Sequence, residues 1–305
     1  MYNPNTFDTV LRLLAPSLLQ LRLLFPLKKR PVRTEGSAFF VFGSGRNGST
    51  LLNRLLNTHS SLFLPTEQYF LTSLLYRYVF YNHLSDEDLW MKMNELILKD
   101  ELSTWNKARL PTSLPKPLPD FESIIDHIFR TYGLVGPNTI WGDTTPVNTE
   151  SALLLKKFLP NSKFIFFIRD GRDVVTSYQR NRSSFDHLPT LESQADFWIK
   201  SLNLIDKWTA PRLLVRYEEL VRNPQGNLKK VYDFLEVEDQ SDNWMHYQDQ
   251  LRDPFFELPQ HQNVSKLPNE NSIGNWRTEL TEEQKAFCDR KMRRYLLKYG
   301  YEVDE

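Results

Sequence analysis

Hydrophobic positions along this chain fall into short, wholly apolar runs, each followed by a polar turn and then a helical pattern. Residues 38–42 (AFFVF) have the length and bulk of a buried strand. Gly43, Gly45 and Gly48 interrupt the run, after which Leu51, Leu52, Leu55 and Leu56 recur on one side of a helix. Residues 163–168 (KFIFFI) repeat the design and lead through Gly171 into a second helical stretch; residues 212–215 give a third strand. Shorter strands are expected at 62–65 and from 139. Helices are expected at 66–81, 84–100, 121–133, 148–158 and 190–209, and from 281 to 300. Thr66 is placed to cap the first of these, with Glu67 in its first turn. Ser85 opens the second, and Thr281 and Gln284 form a capping box on the last. His59 falls in the break after the first loop's helix and reads as a local hydrogen-bonding residue. Alternating strands and helices predict an α/β fold: three layers, a mostly parallel central sheet, helices on both faces.

Three stretches depart from this rhythm. Residues 1–35 read as an N-terminal arm, with leucines at 11, 14, 18, 21 and 24 able to share a helical face ahead of Lys28, Lys29, Arg30 and Arg33. A helix packed on the domain explains the pattern, and so does a peripheral membrane contact through residues 8–33. Residues 110–120 (LPTSLPKPLPD) are too proline-rich for a helix or inner strand. Residues 237–272 are polar, punctuated by aromatic side chains, and without clear periodicity. The remainder, 36–305, reads as a single domain.

Composition narrows the chemistry. Lys plus Arg equals Asp plus Glu at 38 each, so no global charge points to a nucleic-acid partner. The one cysteine, Cys288, excludes an internal disulfide and a cysteine-based metal site. No apolar run reaches the roughly 20 residues of a membrane span. Asn47-Gly48-Ser49 is formally a glycosylation sequon, and a glycan there would destroy the loop. A cytoplasmic protein is therefore expected, peripheral at a membrane if the arm binds one.

The glycine loop carries the first functional signal. Strand, glycines and helix N-terminus form a phosphate cradle: glycine lets the backbone approach the anion, and the helix's unpaired N–H groups point at it. Spaced as a P-loop, it is Gly43-x4-Gly48-Ser49-Thr50, with Ser49 where that motif carries lysine. The nearest cation is Arg46. The second junction, IRDGRDVVTS (168–177), offers Arg169 at a strand end, where an arginine fork suits a phosphate dianion.

GSGRNGSTLL resembles the 5′-phosphosulfate loop of sulfotransferases that use PAPS (3′-phosphoadenosine 5′-phosphosulfate), in the branch with an R-S-G-T-T-type loop. Further segments extend the resemblance over about residues 36–300. Arg169 and Ser177, eight residues apart, match the family's 3′-phosphate pair. TIWGDTTP resembles its W-G-D-K-T-P element, with Thr144 in place of lysine. RYEELVRNP resembles R-Y-E-D-L-x-x-x-P, making Tyr217 a candidate adenine contact. Gly274, Trp276 and Arg277 resemble the G-x-W element that closes over the nucleotide; the fuller R-K-G form of the cytosolic steroid and phenol enzymes is absent. Glu67 lies 21 residues beyond Arg46, the spacing of the catalytic glutamate in the branch that includes the tyrosylprotein enzymes.

The resemblance implies in-line transfer of a sulfuryl group from PAPS to an acceptor hydroxyl, without a metal. Glu67 is the general base and Arg46 the charge-stabilising cation. Gly45, Arg46, Asn47, Gly48, Ser49 and Thr50 hold the 5′ end of the donor; Arg169 and Ser177 read its 3′-phosphate. Residues 84–120 become an acceptor-facing region or lid, or a plain surface excursion. The acceptor stays open among carbohydrate, lipid, peptide and small-molecule hydroxyls. Two other classes compete: a P-loop nucleotide kinase or ATPase, opposed by Ser49 at the lysine position, and a non-catalytic nucleotide-binding or membrane-associated scaffold.

Overall fold

A computed structural model describes residues 22–31, 38–97, 119–132, 136, 138–181, 188–250 and 267–303. Most of the N-terminal arm, most of the proline-rich connection and the middle of the 237–272 stretch lie outside the described residues. In chain order the elements are β1 (Ala38–Phe42), α1 (Ser49–Leu56), β2 (Leu62–Phe63), α2 (Phe70–Phe80), α3 (Asp86–Ile97), α4 (Phe121–Tyr132) and β3 (Ile140–Asp143). A 3-10 turn (Pro146–Ser151) then leads into α5 (Ala152–Phe158), β4 (Lys163–Ile168), α6 (Gly171–Arg180), α7 (Leu191–Lys207), β5 (Leu213–Arg216), α8 (Tyr217–Arg222) and α9 (Pro224–Leu235). After 3-10 turns at Ser241–Gln250 and Glu270–Ser272 come α10 (Trp276–Glu279) and α11 (Glu282–Lys298).

The described strands form one five-stranded parallel sheet in the order β2-β3-β1-β4-β5. At its centre Phe39 pairs with Lys163 and Phe42 with Phe166, and β4 continues into β5 with Ile168 opposite Arg216. Parallel strands need helical crossovers, which cover both faces and explain the unbroken apolar runs of β1 and β4. Successive side chains alternate between faces. Phe39, Val41, Ile165, Phe167 and Val215 pack in one cluster with α1, α8 and α9. Phe40, Phe42, Phe164 and Phe166 take the other face, where the Trp208 ring, just after α7, lies 4.8 Å from Phe164 and 5.1 Å from Phe166.

The chain divides into two compact units. One comprises Phe39–Thr66, Thr139–Leu153 and Lys163–Glu305; it holds the sheet, with β1 entering from Ala38. The other comprises Met1–Ala38, Glu67–Asn138 and Leu154–Ser162, and contains α2, α3, α4 and most of α5. Inside this second unit Glu122 of α4 is buried and accepts hydrogen bonds from the Asn161 side chain (2.9 Å) and the Ser162 hydroxyl (3.1 Å). Two basic groups of the arm are spent on protein: Lys28 and Arg30 meet Asp86 at 2.7 and 2.6 Å. The Pro31 carbonyl accepts the Asp120 N–H at 3.0 Å.

Most expected elements stand within a few residues of their expected ends. Two differ in kind. The expected helix over 66–81 starts at Phe70, with Tyr69 as N-cap and no acidic residue in its first turn. Thr66 therefore does not cap it, and Glu67 lies outside the helix. The expected helix over 148–158 opens as a 3-10 turn at Pro146 and becomes α-helical at Ala152.

Candidate functional site

Three glycines shape the loop between β1 and α1. A Cβ on Gly43 would lie 2.3 Å from the Phe167 carbonyl oxygen, and one on Gly45 would lie 2.3 Å from the Tyr178 hydroxyl. Gly48, the N-cap of α1, has φ +95, and a Cβ there would lie 2.5 Å from the Tyr217 ring. Gly48, as N-cap, brings no side chain of its own to cap this helix start. Arg46 is itself left-handed at φ 63, a strained backbone for a residue with a Cβ. The Thr149 hydroxyl brackets Gly43, accepting its N–H at 3.0 Å and donating to its carbonyl at 2.9 Å. The buried Asn47 side chain donates to the Phe167 carbonyl at 2.7 Å and accepts the Ser49 N–H at 3.1 Å. That amide staples the loop to β4; Arg46, Gly48 and Thr50 are more accessible than Asn47 or Ser49.

β4 and α6 bring the second element to the same place. Arg46 Nε donates to the Ser177 hydroxyl at 3.0 Å, and Arg169 Nη1 donates to the Arg46 carbonyl at 3.1 Å. Residues 123 and 131 positions apart are thus in contact. Arg169 Nη2 also donates to the Ser272 carbonyl, and the Arg169 carbonyl is held by Trp198 Nε1 at 2.9 Å. Arg169 Nε is buried without a hydrogen-bond partner among the described residues. A buried guanidinium donor left unmatched next to a glycine cradle at a helix N-terminus suits a phosphate-bearing ligand.

Tyr217 lies buried between Gly48 and Arg169, whose guanidinium carbon is 4.5 Å from its ring centroid. The packing role of Tyr217 is therefore on view. Thr144 is buried and accepts from Asn53 Nδ2 at 3.1 Å, so it is tied into the α1 network. The preceding Asp143 is fully buried and accepts three bonds: the Thr145 N–H (3.0 Å), the Thr145 hydroxyl (2.8 Å) and Asn148 Nδ2 (2.8 Å). Loss of hydration outweighs these donors and pushes its carboxyl up to about 6.

Gly274, Trp276 and Arg277 sit against α6. Gly274 is left-handed at φ +76. The Gly274 and Trp276 N–H groups donate to the Asp173 carboxylate at 2.7 and 3.1 Å. The buried Trp276 ring has the guanidinium carbon of Arg172 at 3.8 Å and that of Arg277 at 4.5 Å from its centroid. Arg277 also reaches Glu302 at 3.2 Å. Burial raises the Asp173 carboxyl, with the Arg169 charge pulling the other way.

Glu67 belongs to the other compact unit. It is half-buried, and its carboxylate accepts a hydrogen bond from the Tyr69 hydroxyl. With the helix starting at Phe70, the macrodipole gives no account of this carboxylate. Sequence reasoning gave no site role to Thr149, Trp198 or Asp173: Thr149 meets the loop and Trp198 meets Arg169 from distant segments, and Asp173 holds the N–H groups of Gly274 and Trp276, 101 and 103 positions away. His59 makes the expected local hydrogen bond, Nδ1 accepting the Ser61 N–H at 3.0 Å, and a distant one besides, Nε2 facing the Glu238 carbonyl at 2.8 Å. Among the described residues no group of three or more His, Cys, Asp or Glu could hold a metal, and no helix is long and apolar enough to cross a membrane.

A parallel α/β sheet with two strand–turn–helix junctions at the carboxyl ends of adjacent central strands is an architecture suited to a nucleotide ligand. The sulfotransferase family model matches residues 38–242, and the chain belongs to that family. Protein-tyrosine sulfotransferase A of Caenorhabditis elegans is 24% identical over 207 residues, 65% of this chain and 49% of that one. Protein-tyrosine sulfotransferase 2 of Gallus gallus is 24% identical over 229 residues, 72% and 56% of the two chains. The chain thus spans about half the length of these relatives. The sulfotransferase domain from the Synechococcus PCC 7002 olefin synthase shares the fold at TM-score 0.62 and 20% identity, covering 92% of this chain and 98% of that one.

Proposed function

We propose that this chain is an enzyme that transfers a sulfuryl group from PAPS to an acceptor hydroxyl. The observation that carries the reading is the meeting of Arg46, Ser177 and Arg169, which joins the glycine loop to the second anion element and leaves one buried guanidinium donor unmatched. Two anion elements suit a donor phosphorylated at two positions; family membership supplies the sulfuryl group. In the reaction the sulfur–oxygen bond to the 5′-phosphate breaks as a new one forms to the acceptor oxygen. The acceptor's proton passes to the Glu67 carboxylate, and PAP leaves. Little covalent work falls to the protein: position and charge dominate, as in phosphoryl transfer. Arg46, the loop N–H groups and the hydroxyls of Ser49 and Thr50 stabilise charge growing on the departing phosphate. Arg169 and Ser177 read the 3′-phosphate. Both relatives carry protein tyrosine in their names, so tyrosine peptides head an acceptor panel that also spans sugars, lipids and small alcohols.

Calorimetric titration with PAP, against 5′-AMP and ATP–Mg²⁺, is the deciding measurement. PAP should bind tightest, and Arg169→Ala should weaken it by about ten- to a hundredfold, the scale of a charge-assisted hydrogen bond. Glu67→Ala should spare PAP affinity and reduce turnover by at least about a hundredfold. Preference for ATP–Mg²⁺ would return the chain to the nucleotide kinases, and PAP binding without sulfation across the panel would leave a binding protein.

A further inference from the structure

The turn from β4 into α6 and the first residues of α6 grip the segment at 272–277 with three side chains. Arg169 donates to the Ser272 carbonyl, Asp173 accepts both the Gly274 and Trp276 N–H groups, and Arg172 covers the Trp276 ring. Arg172 is in turn fixed by Asp170 and Asp289 at 2.8 and 2.9 Å. Asp173 is buried, so its two bonds are formed away from water, where an unmatched N–H is costly. Within the segment, α10 is four residues long and begins with no side-chain cap from its own N-cap residue. Asp173 supplies that cap from a different element.

We propose that Asp173 is a positioning residue for the donor, holding the 272–277 segment on the helix that carries Ser177 so that Arg169 and the segment act as one body on the 3′ end of the nucleotide. The inference rests on the PAPS reading above and adds what transmits donor binding to residues 272–277. Asp173 itself touches no ligand. Its carboxylate fixes two backbone N–H groups, and through them the backbone whose Ser272 carbonyl orients the Arg169 guanidinium. Losing the carboxylate frees the segment and leaves Arg169 with its Arg46 contact alone among these bonds. Asparagine at this position keeps one oxygen acceptor for one of the two N–H groups and turns an amide donor toward the other.

The test pairs calorimetry with hydrogen exchange. PAP is titrated into the wild-type chain, Asp173→Ala and Asp173→Asn, while exchange is followed by mass spectrometry in peptides covering 270–280 and 163–180. Asp173→Ala should bind PAP at least about tenfold more weakly, as expected for two hydrogen bonds to a charged group. It should also lose protection in 270–280, with 163–180 unchanged. Asp173→Asn, which keeps one of the two acceptors, should recover part of both losses. If Asp173→Ala binds PAP as the wild type does, the proposal is overturned. Equal loss of protection in both peptides, with no recovery in Asp173→Asn, also overturns it, because the residue then serves only the fold. Should Asp173→Ala fail to fold, Asp173→Asn decides alone, and wild-type affinity with intact protection loss in 270–280 would separate the segment from the donor. Absence of PAP binding by the wild-type chain removes the PAPS reading first, and this inference with it.

Discussion

Asp143 shows how far one residue's chemistry follows from where it is buried. Its carboxyl is raised to about 6 from an ordinary 3.8, chiefly by lost hydration. The folded chain therefore holds this proton more tightly than the unfolded chain does. The stability it contributes is complete below about pH 4 and lost as pH rises through 6, on the order of 3 kcal/mol in all. Asp143→Asn should flatten this fall. Its carbonyl can accept from Thr145 and Asn148 while its amide donates to the Thr145 hydroxyl, so urea midpoints for the variant should lose less between pH 4.5 and 7 than the wild type. An unchanged slope would assign the pH dependence to Glu122, Asp173 and Glu218, whose carboxyls burial also raises. At this scale the sequence marked Arg46 and Arg169 through residue type and position, and Ser177 through its resemblance to the sulfotransferase motif. It could not mark Asn47 as a staple, because its partner, the Phe167 carbonyl, is 120 positions away.

Elements show the same division between local and distant causes. β1 and β4 were legible because both faces of a central parallel strand are covered, which leaves an apolar run with no alternation. The last helix was legible because its capping box is complete within four residues, Thr281 to Gln284. The start of α2 was not. Thr66 and Glu67 have the pattern of a helix opening, yet Asn57 binds Leu64 through both its N–H (2.9 Å) and carbonyl (2.8 Å), and Asn53 takes the Pro65 carbonyl at 2.8 Å. These bonds from α1 hold the chain out of helical geometry just ahead of Thr66, and no local pattern records them. The glycine loop is the element whose shape bears most directly on ligand binding. Gly48→Ala adds a Cβ to a left-handed residue 2.5 Å from a buried ring. It should cost about 1–3 kcal/mol in urea unfolding and weaken PAP binding. Wild-type values for both would mean that the loop relaxes freely around Tyr217.

For the molecule as a whole, balanced charge gives an isoelectric point near 7.0. Solubility in polyethylene glycol should pass through a minimum close to pH 7 and rise on either side; a monotonic curve from pH 6 to 8 would show that charge distribution outweighs net charge. The division into two units has a consequence for recombination. The donor-site candidates of the glycine loop, α6 and residues 272–277 all belong to one unit, whereas the chain from Glu67 to Asn138 is a single continuous excursion into the other. A chimera that exchanges this excursion for that of another sulfotransferase would keep every one of those donor groups on its native scaffold. The exchange cannot stop at Asn138, however. Glu122 is buried on bonds to Asn161 and Ser162, so the short block Leu154–Ser162 has to travel with it, or the transplant will bring a carboxylate whose partners were left behind.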